Sequence, residues 1–327
     1  MLLINDKWIW DFWFAENGDE YHIFYLQAPR SLELEHLRHH NVTVGHAVST
    51  NLIDWNILPD ALTSGANGTW DDLATWTGSI IKNNNIWYMF YTGGNRDEKG
   101  LIQRIGLATS EDLINWEKHK SNPIIEADEK YYELLNFETW HDQAWRDPWV
   151  FKYDGSFHAF ITARVNYGSP DGRGVVAHAK SEDLIHWRVM PPVTEPGEFS
   201  QMEVPQMIKI DNKYYLLFST GAEHHSSERL KRTKTEAVAG THYLVADNPL
   251  GTYNFITDQF LVGDNFGSLY GGKMIQTKSG EWKMIASNNR KEDNSFIGSI
   301  TDPFDVKLKK SKCSDQQRMQ KLSIRKT

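Results

Sequence analysis

The chain has 327 residues, of which 40% are hydrophobic and 24% charged, with a formal net charge of −8; this is the composition of a soluble globular protein able to build a large core. The negative balance argues against nucleic acid as a partner, since phosphate contacts need a basic face, and no segment reaches the roughly 18 consecutive apolar residues of a membrane span. The single cysteine, Cys313, excludes an internal disulfide, and the start Met1–Lys7 has neither the basic opening nor the apolar run of a signal peptide, so a cytoplasmic protein is expected.

Along the chain, one pattern recurs five times. A polar turn at Asn17-Gly18-Asp19 leads into the strand-like run Tyr21–Leu26, and the signature Ser49-Thr50-Asn51-Leu52-Ile53-Asp54-Trp55 follows. The same order returns as Asn83-Asn84-Asn85, Ile86–Thr92 and Ser110–Trp116, then as Asp154-Gly155, Phe157–Thr162 and Ser181–Trp187. Weaker copies are Asp211-Asn212, Tyr214–Ser219 and Ala246–Tyr253, then Ser279-Gly280, Trp282–Ala286 and Ser299–Phe304. Each turn is placed where a β-hairpin would reverse, and the spacing of Trp55, Trp116 and Trp187 suits one four-stranded blade plus its loops. No long apolar stretch has helical spacing. The expected fold is therefore all-β, a five-bladed β-propeller over 1–306, with a basic, polar tail over 307–327 that opens at Lys307-Leu308-Lys309-Lys310.

A propeller gathers loops and inner-strand ends at its axis, so site residues are to be sought one per blade. Three acids stand in aromatic or proline-framed segments where a solvated charge would be unusual: Asp11 in Trp10-Asp11-Phe12-Trp13, Asp147 in Arg146-Asp147-Pro148-Trp149, and Glu203 in Met202-Glu203-Val204-Pro205. Poor hydration of a carboxylate costs several kcal/mol unless hydrogen bonds or a function account for it. Each could singly be a buried aspartate or glutamate tying a loop to backbone amides. Three together, in three blades, fit glycosyl transfer, which needs one carboxyl to protonate the leaving oxygen and a second to attack the anomeric carbon or activate water.

These segments resemble glycoside hydrolase families 32 and 68, the five-bladed fructan-active enzymes. Gly45-His46-Ala47-Val48-Ser49 through Trp55 is similar to a family 32 segment, as are Trp76-Thr77-Gly78-Ser79, Arg146-Asp147-Pro148, Glu203-Val204-Pro205 and Asp264-Asn265-Phe266-Gly267-Ser268-Leu269-Tyr270. Trp10-Asp11-Phe12-Trp13 is nearer to the levansucrase pattern, and Leu26 stands where a glutamine commonly follows the first strand, with Gln27 one later. The β-sandwich that family 32 enzymes carry after the propeller has no counterpart in this sequence. The resemblance implies Asp11 as nucleophile, Asp147 as transition-state stabiliser and Glu203 as acid/base, held protonated by Met202 and Val204. It also implies sugar contacts from Trp10, Trp13, Gln27, His46, Trp76, Ser79, Arg146 and Tyr270, and a retaining hydrolase of β-fructofuranosides with a small carbohydrate as its partner and no cofactor or metal.

Two rivals remain open at this point: an inverting family 43-like arabinosidase or xylosidase, and a non-catalytic sugar-binding propeller. Glu223-His224-His225 is expected in a solvated loop, His39-His40 at the surface, and Arg229–Lys234 in an exposed loop whose alternative role is to read a phosphate. Oligomeric state is not legible in the sequence.

Overall fold

The computed structural model describes residues 1–310 and 320–325. They form five antiparallel sheets arranged as the blades of a propeller. Blade one is β1 (Lys7–Asn17), β2 (Glu20–Pro29), β3 (Thr43–Ser49) and β4 (Asn56–Leu62); blade two is β5 (Ala74–Asn83), β6 (Ile86–Gly94), β7 (Gln103–Ser110) and β8 (Glu117–Lys118). Blade three is β9 (Trp145–Tyr153), β10 (Ser156–Arg164), β11 (Gly174–Ser181) and β12 (Trp187–Met190); blade four is β13 (Glu203–Ile210), β14 (Lys213–Thr220), β15 (Ala239–Ala246) and β16 (Val262–Asp264). Blade five holds β17 (Leu269–Gln276), β18 (Trp282–Arg290), β19 (Phe296–Ile300), β20 (Phe304–Lys310) and β21 (Gln320–Arg325). The five strand-like runs of the sequence are all second strands of a blade.

The Ser-x-Asp/Asn-Leu-x-x-Trp signature closes the turn after the third strand. Ser49, Ser110 and Ser181 Oγ accept from the amides of Leu52, Leu113 and Leu184, each at 2.9 Å, while Asn51, Asp112 and Asp183 Oδ1 take the next two amides. These side chains replace the ladder that the turn interrupts. They hold the leucines at φ 65°, 67° and 69°, so that a β-incompatible backbone still places a leucine in the core. The repeat is therefore a folding device.

Five apolar clusters fill the five blade interfaces, one of them joining Ile9, Phe12 and Ile23 of blade one to Ile275, Ile285 and Ile300 of blade five. Leu2 pairs with Ile300 through two backbone hydrogen bonds, 2.9 and 3.0 Å, and so closes the ring.

The expected tail from 307 needs correction. β20 pairs with β21 from Asp305↔Arg325 to Lys310↔Gln320, and Leu322, Val306 and Ile324 pack on the cluster between blades four and five. Phe304, Val306 and Leu308 alternate with charged residues, the period of a strand with one solvated face; the lysines of that face made it read as a tail. Residues 311–319, 326 and 327 lie outside the described residues.

Candidate active site

All five inner strands break register at the same level of the ring: β1 between Trp10 and Phe12, β5 between Trp76 and Gly78, β9 opposite Phe160 and Thr162, β13 between Glu203 and Gln206, and β17 between Tyr270 and Lys273. Such bulges insert a residue and re-aim its side chain. Asp11, Asp147, Val204 and Gly271 take positive φ there, 29°, 59°, 45° and 60°, conformations that non-glycine residues hold only where the surroundings impose them. The strain is concentrated where Asp11, Asp147 and Glu203 converge on one cavity of about 480 Å³. A second lobe of about 600 Å³ opens past Glu203 and Tyr270 towards Arg38, His224, Asn265 and Arg290.

Arg146 organises the acids. Its Nη2 donates to Glu203 Oε1 at 2.7 Å and to Gln201 Oε1, its Nη1 donates to Gln103 Oε1 at 3.0 Å, and its Nε lies 3.8 Å from Asp147 Oδ2. Asp147 Oδ2 also accepts from Thr162 Oγ1 at 2.9 Å and from the Val204 amide at 3.1 Å, tying blade three to blade four. Tyr270 donates its hydroxyl to Glu203 Oε2. Asp11 accepts no hydrogen bond among the described residues, and it is the one acid whose oxygens are uncommitted.

These contacts sort the protonation states. Burial pushes the Asp11 carboxyl up to about 7, reinforced by the charges of Asp147 and Glu203 and opposed by Lys273 and Arg38. Burial also raises Asp147, with Arg146 opposing. Burial acts upward on Glu203 too, but Arg146 and the Tyr270 hydroxyl outweigh it and hold this group below its ordinary value. The expectation that Met202 and Val204 keep Glu203 protonated is thus corrected: both are buried, yet the carboxylate itself faces a guanidinium and a phenol. Asp11 is the carboxyl that keeps its proton up to about pH 7.

Of the expected sugar contacts, Trp10, Trp76, Arg146 and Tyr270 line the cavity. Four others are elsewhere. His46 is buried inside blade one, stacked on Phe24 at 4.1 Å with its Nε2 2.9 Å from His22 Nδ1. Trp13 stacks on the other side of Phe24 and borders a separate cavity further along the inner strands. Gln27 points away, donating to Thr43 Oγ1 and Asp60 Oδ1, while Leu26, paired with Trp10, reaches the cavity; the parity of a strand decides which of two neighbours faces the site. Ser79 Oγ accepts the Val150 amide at 3.0 Å and joins blades two and three.

Sequence reasoning passed over Gln103, Asp142, His141 and His36 of the turn Glu35–His40, all at the cavity wall. His39 and His40 are exposed as expected, but at the cavity mouth. Gln103 and the 133–142 segment carry no motif, and only the fold brings them to Arg146. His224 lines the second lobe with its Nδ1 3.0 Å from Ser200 Oγ. Among the described residues no group of three or more His, Cys, Asp or Glu side chains is arranged to hold a metal ion. Arg229–Lys234 is not an exposed loop. Ser227–Thr233 is a helix capped by Ser226, and Arg229 and Arg232 pair with Glu198, each at 2.6 Å, and with Asp258, so these two arginines are already engaged within the protein.

Gly271 gives a direct test of the crowding around Asp11. A Cβ at this position would stand 2.9 Å from Asp11 Oδ1, at φ 60°. Gly271→Ala is expected to displace the carboxylate and lower turnover by roughly 10²-fold, with a much smaller change in substrate affinity, measured as kcat and KM.

The model of the glycosyl hydrolases family 32 N-terminal domain matches residues 11–317. Sucrose-6-phosphate hydrolase of Escherichia coli is 29% identical over 217 residues, 63% of this chain and 39% of that protein; the chain thus spans about two fifths of that relative's length. Inulosucrase from Halalkalicoccus jeotgali, solved with kestose, superposes with a TM-score of 0.72 at 20% identity, covering 94% of this chain and 86% of that one. A thermostable family-43 glycoside hydrolase superposes at 0.69 with 16% identity, covering 99% and 94%. These two likenesses show the propeller and do not separate one chemistry from the other. The family match runs through all five blades: the chain belongs to glycosyl hydrolase family 32.

Proposed function

We propose that the chain is a retaining β-fructofuranosidase. The observation that carries this reading is the division of labour among three carboxyls in one cavity: Asp11 uncommitted, Asp147 fixed by Thr162 and the Val204 amide, Glu203 facing the second lobe. The Asp11 carboxylate attacks the anomeric C2 of a fructofuranosyl unit, and the C2–O bond breaks as Glu203 gives its proton to the leaving oxygen. Glu203 then takes a proton from water, which displaces Asp11 and releases fructose. Asp147 accepts from ring hydroxyls and strengthens as positive charge grows on the ring. The reactive form carries one proton on the Asp11–Glu203 pair, held by Glu203. The leaving group occupies the lobe beyond Glu203, beside Arg38 and Arg290.

A lone cysteine fits a reducing compartment, and we place the protein in the cytoplasm. No helix among the described residues is long and apolar enough to cross a membrane.

The test is to incubate the protein with sucrose, sucrose 6-phosphate, inulin-type oligosaccharides and nitrophenyl arabinoside and xyloside, and to follow the released sugars and their anomeric configuration by NMR. Fructose released with retention is expected. Pentose released with inversion would transfer the chain to the family 43 chemistry, and a sugar-dependent rise in Tm without cleavage would make it a binding propeller.

A further inference from the structure

Lys273 takes no part in the proposed reaction, yet its ammonium is buried against the β13 bulge that follows Glu203. It follows the Gly271–Gly272 bulge of β17 and is only 3% exposed. A side chain at Gly272 would collide with Met284 Cε at 2.2 Å and Thr241 Oγ1 at 2.8 Å, so two glycines let β17 press close enough for the lysine to enter. Its Nζ donates to the carbonyls of Val204 at 2.5 Å and Pro205 at 3.2 Å. These are the two carbonyls directly after Glu203, on the β13 bulge where Val204 sits at φ 45°. The Trp149 ring lies 6.0 Å from Nζ, on the side of the separate aromatic cavity that Lys273 also lines.

A buried ammonium satisfied by carbonyls alone would be an expensive way to fasten a bulge, because a neutral donor would do the same without desolvating a charge. The charge has a different use. The carboxylates that act on Lys273 are Asp147 from β9 and Asp11 from β1, while β13 presents its two carbonyls and Trp149 its ring. Arg146 is engaged with Glu203 and Asp142 and reaches Asp147 at 3.8 Å, whereas the cations that oppose the rise of Asp11 are Lys273 and Arg38.

Resting on the proposed roles of Asp11 and Glu203, we propose that Lys273 is a positioning residue of this site: its ammonium compensates Asp11 and Asp147 from behind and fixes the bulge that aims Glu203. Without that charge, Asp11 ionises less readily, since burial and the other two acids already oppose its ionisation. Burial pulls Lys273 down to about 8, with Asp147 and Asp11 opposing, so the lysine loses its proton within the range of an ordinary pH profile. Activity is then expected to fall on the alkaline side as the ammonium deprotonates.

The experiment compares wild type, Lys273→Met, Lys273→Gln and Asp11→Asn on the best-cleaved fructoside, with Tm and a pH profile of kcat/KM for each. Lys273→Met is expected to fold, to lose kcat by about 10²-fold with KM little changed, and to move the limb set by Asp11, the alkaline one because Glu203 titrates below it, up by about one pH unit. Lys273→Gln keeps a donor for the carbonyls without the charge. It is expected to recover part of kcat but to show the same displaced Asp11 limb and no second alkaline ionisation near 8.

If both variants kept the wild-type profile while Asp11→Asn was inactive, the inference would be overturned and the catalytic assignment kept. An active Asp11→Asn would instead remove the reading beneath it. Should neither lysine variant fold, the wild-type alkaline fall decides: beside the carboxyl limb of the Asp11–Glu203 pair it should contain an ionisation near 8 that shifts with temperature as an amine's does, and a fall with only the small temperature dependence of a carboxyl would refute the role.

Discussion

Asp11→Asn is expected to lower kcat by on the order of 10⁴- to 10⁶-fold, the scale on which loss of a nucleophile acts, and to leave the protein folded and more stable. The stability half of this statement follows from linkage. The folded-state value of about 7 for Asp11 lies above its ordinary 3.8, so the folded chain binds the extra proton and gains stability below about pH 4. That stability is lost as pH rises from about 4 to about 7, and above 7 the ionised, buried carboxylate costs a few kcal/mol. Asparagine removes the charge and the cost together. An increase in Tm at pH 8 accompanied by lost turnover would therefore mark Asp11 as a group kept for chemistry, and equal turnover would remove it from the mechanism. Glu203→Gln is expected to lose roughly 10²- to 10⁴-fold, and the loss should shrink on nitrophenyl fructosides, whose leaving group needs no proton. A uniform loss across leaving groups would contradict an acid/base role.

The sequence made the ring legible because each blade repeats a hairpin turn into an aromatic second strand, and the first three add a Ser-x-Asp/Asn-Leu turn whose hydrogen bonds are all local. Local chemistry leaves a local record. Asp11, Asp147 and Glu203 were visible for a related reason, since a carboxyl among tryptophans or prolines is anomalous wherever it folds. What stayed hidden depends on register. Gln27 and Leu26 exchange roles by one step of strand parity, and His46 and Ser79 sit in motif-like segments yet face neighbouring strands. The bulges that aim the acids have no sequence signal at Asp11 or Thr77; at Val204-Pro205 and Asp147-Pro148 the prolines hint at them. Protonation was the least legible, because Arg146 and Tyr270 approach Glu203 from 57 and 67 positions away.

The second large effect is acid unfolding, driven by histidines that never approach the cavity. Blades one and three contain the same device: His22 Nδ1 bonded to His46 Nε2, and His158 Nδ1 bonded to His178 Nε2, each at 2.9 Å. His242 in blade four is buried among Phe218, Phe255 and Phe260. A neutral pair needs one N–H between its two rings; a second proton sets two donors face to face in a desolvated space. Burial pushes His46, His178 and His242 down to about 3, from 6.5 in the unfolded chain. The unfolded state then binds more protons, so the stability these groups contribute is fully present above about pH 6.5 and is lost as pH falls towards 3. Each costs about 1.4 kcal/mol per pH unit, and three together about 4 kcal/mol per unit. Against a typical total of about 5–15 kcal/mol, two to three units exhaust the fold even after the single proton gained by Asp11 is set against them. Tm should therefore fall steeply below pH 6.5, with unfolding at room temperature by roughly pH 4. Replacing His178 by glutamine, which can donate to His158 without taking a proton, should flatten that fall by about a third; an unchanged slope would show that carboxylates, and not the buried imidazoles, set the acid limit.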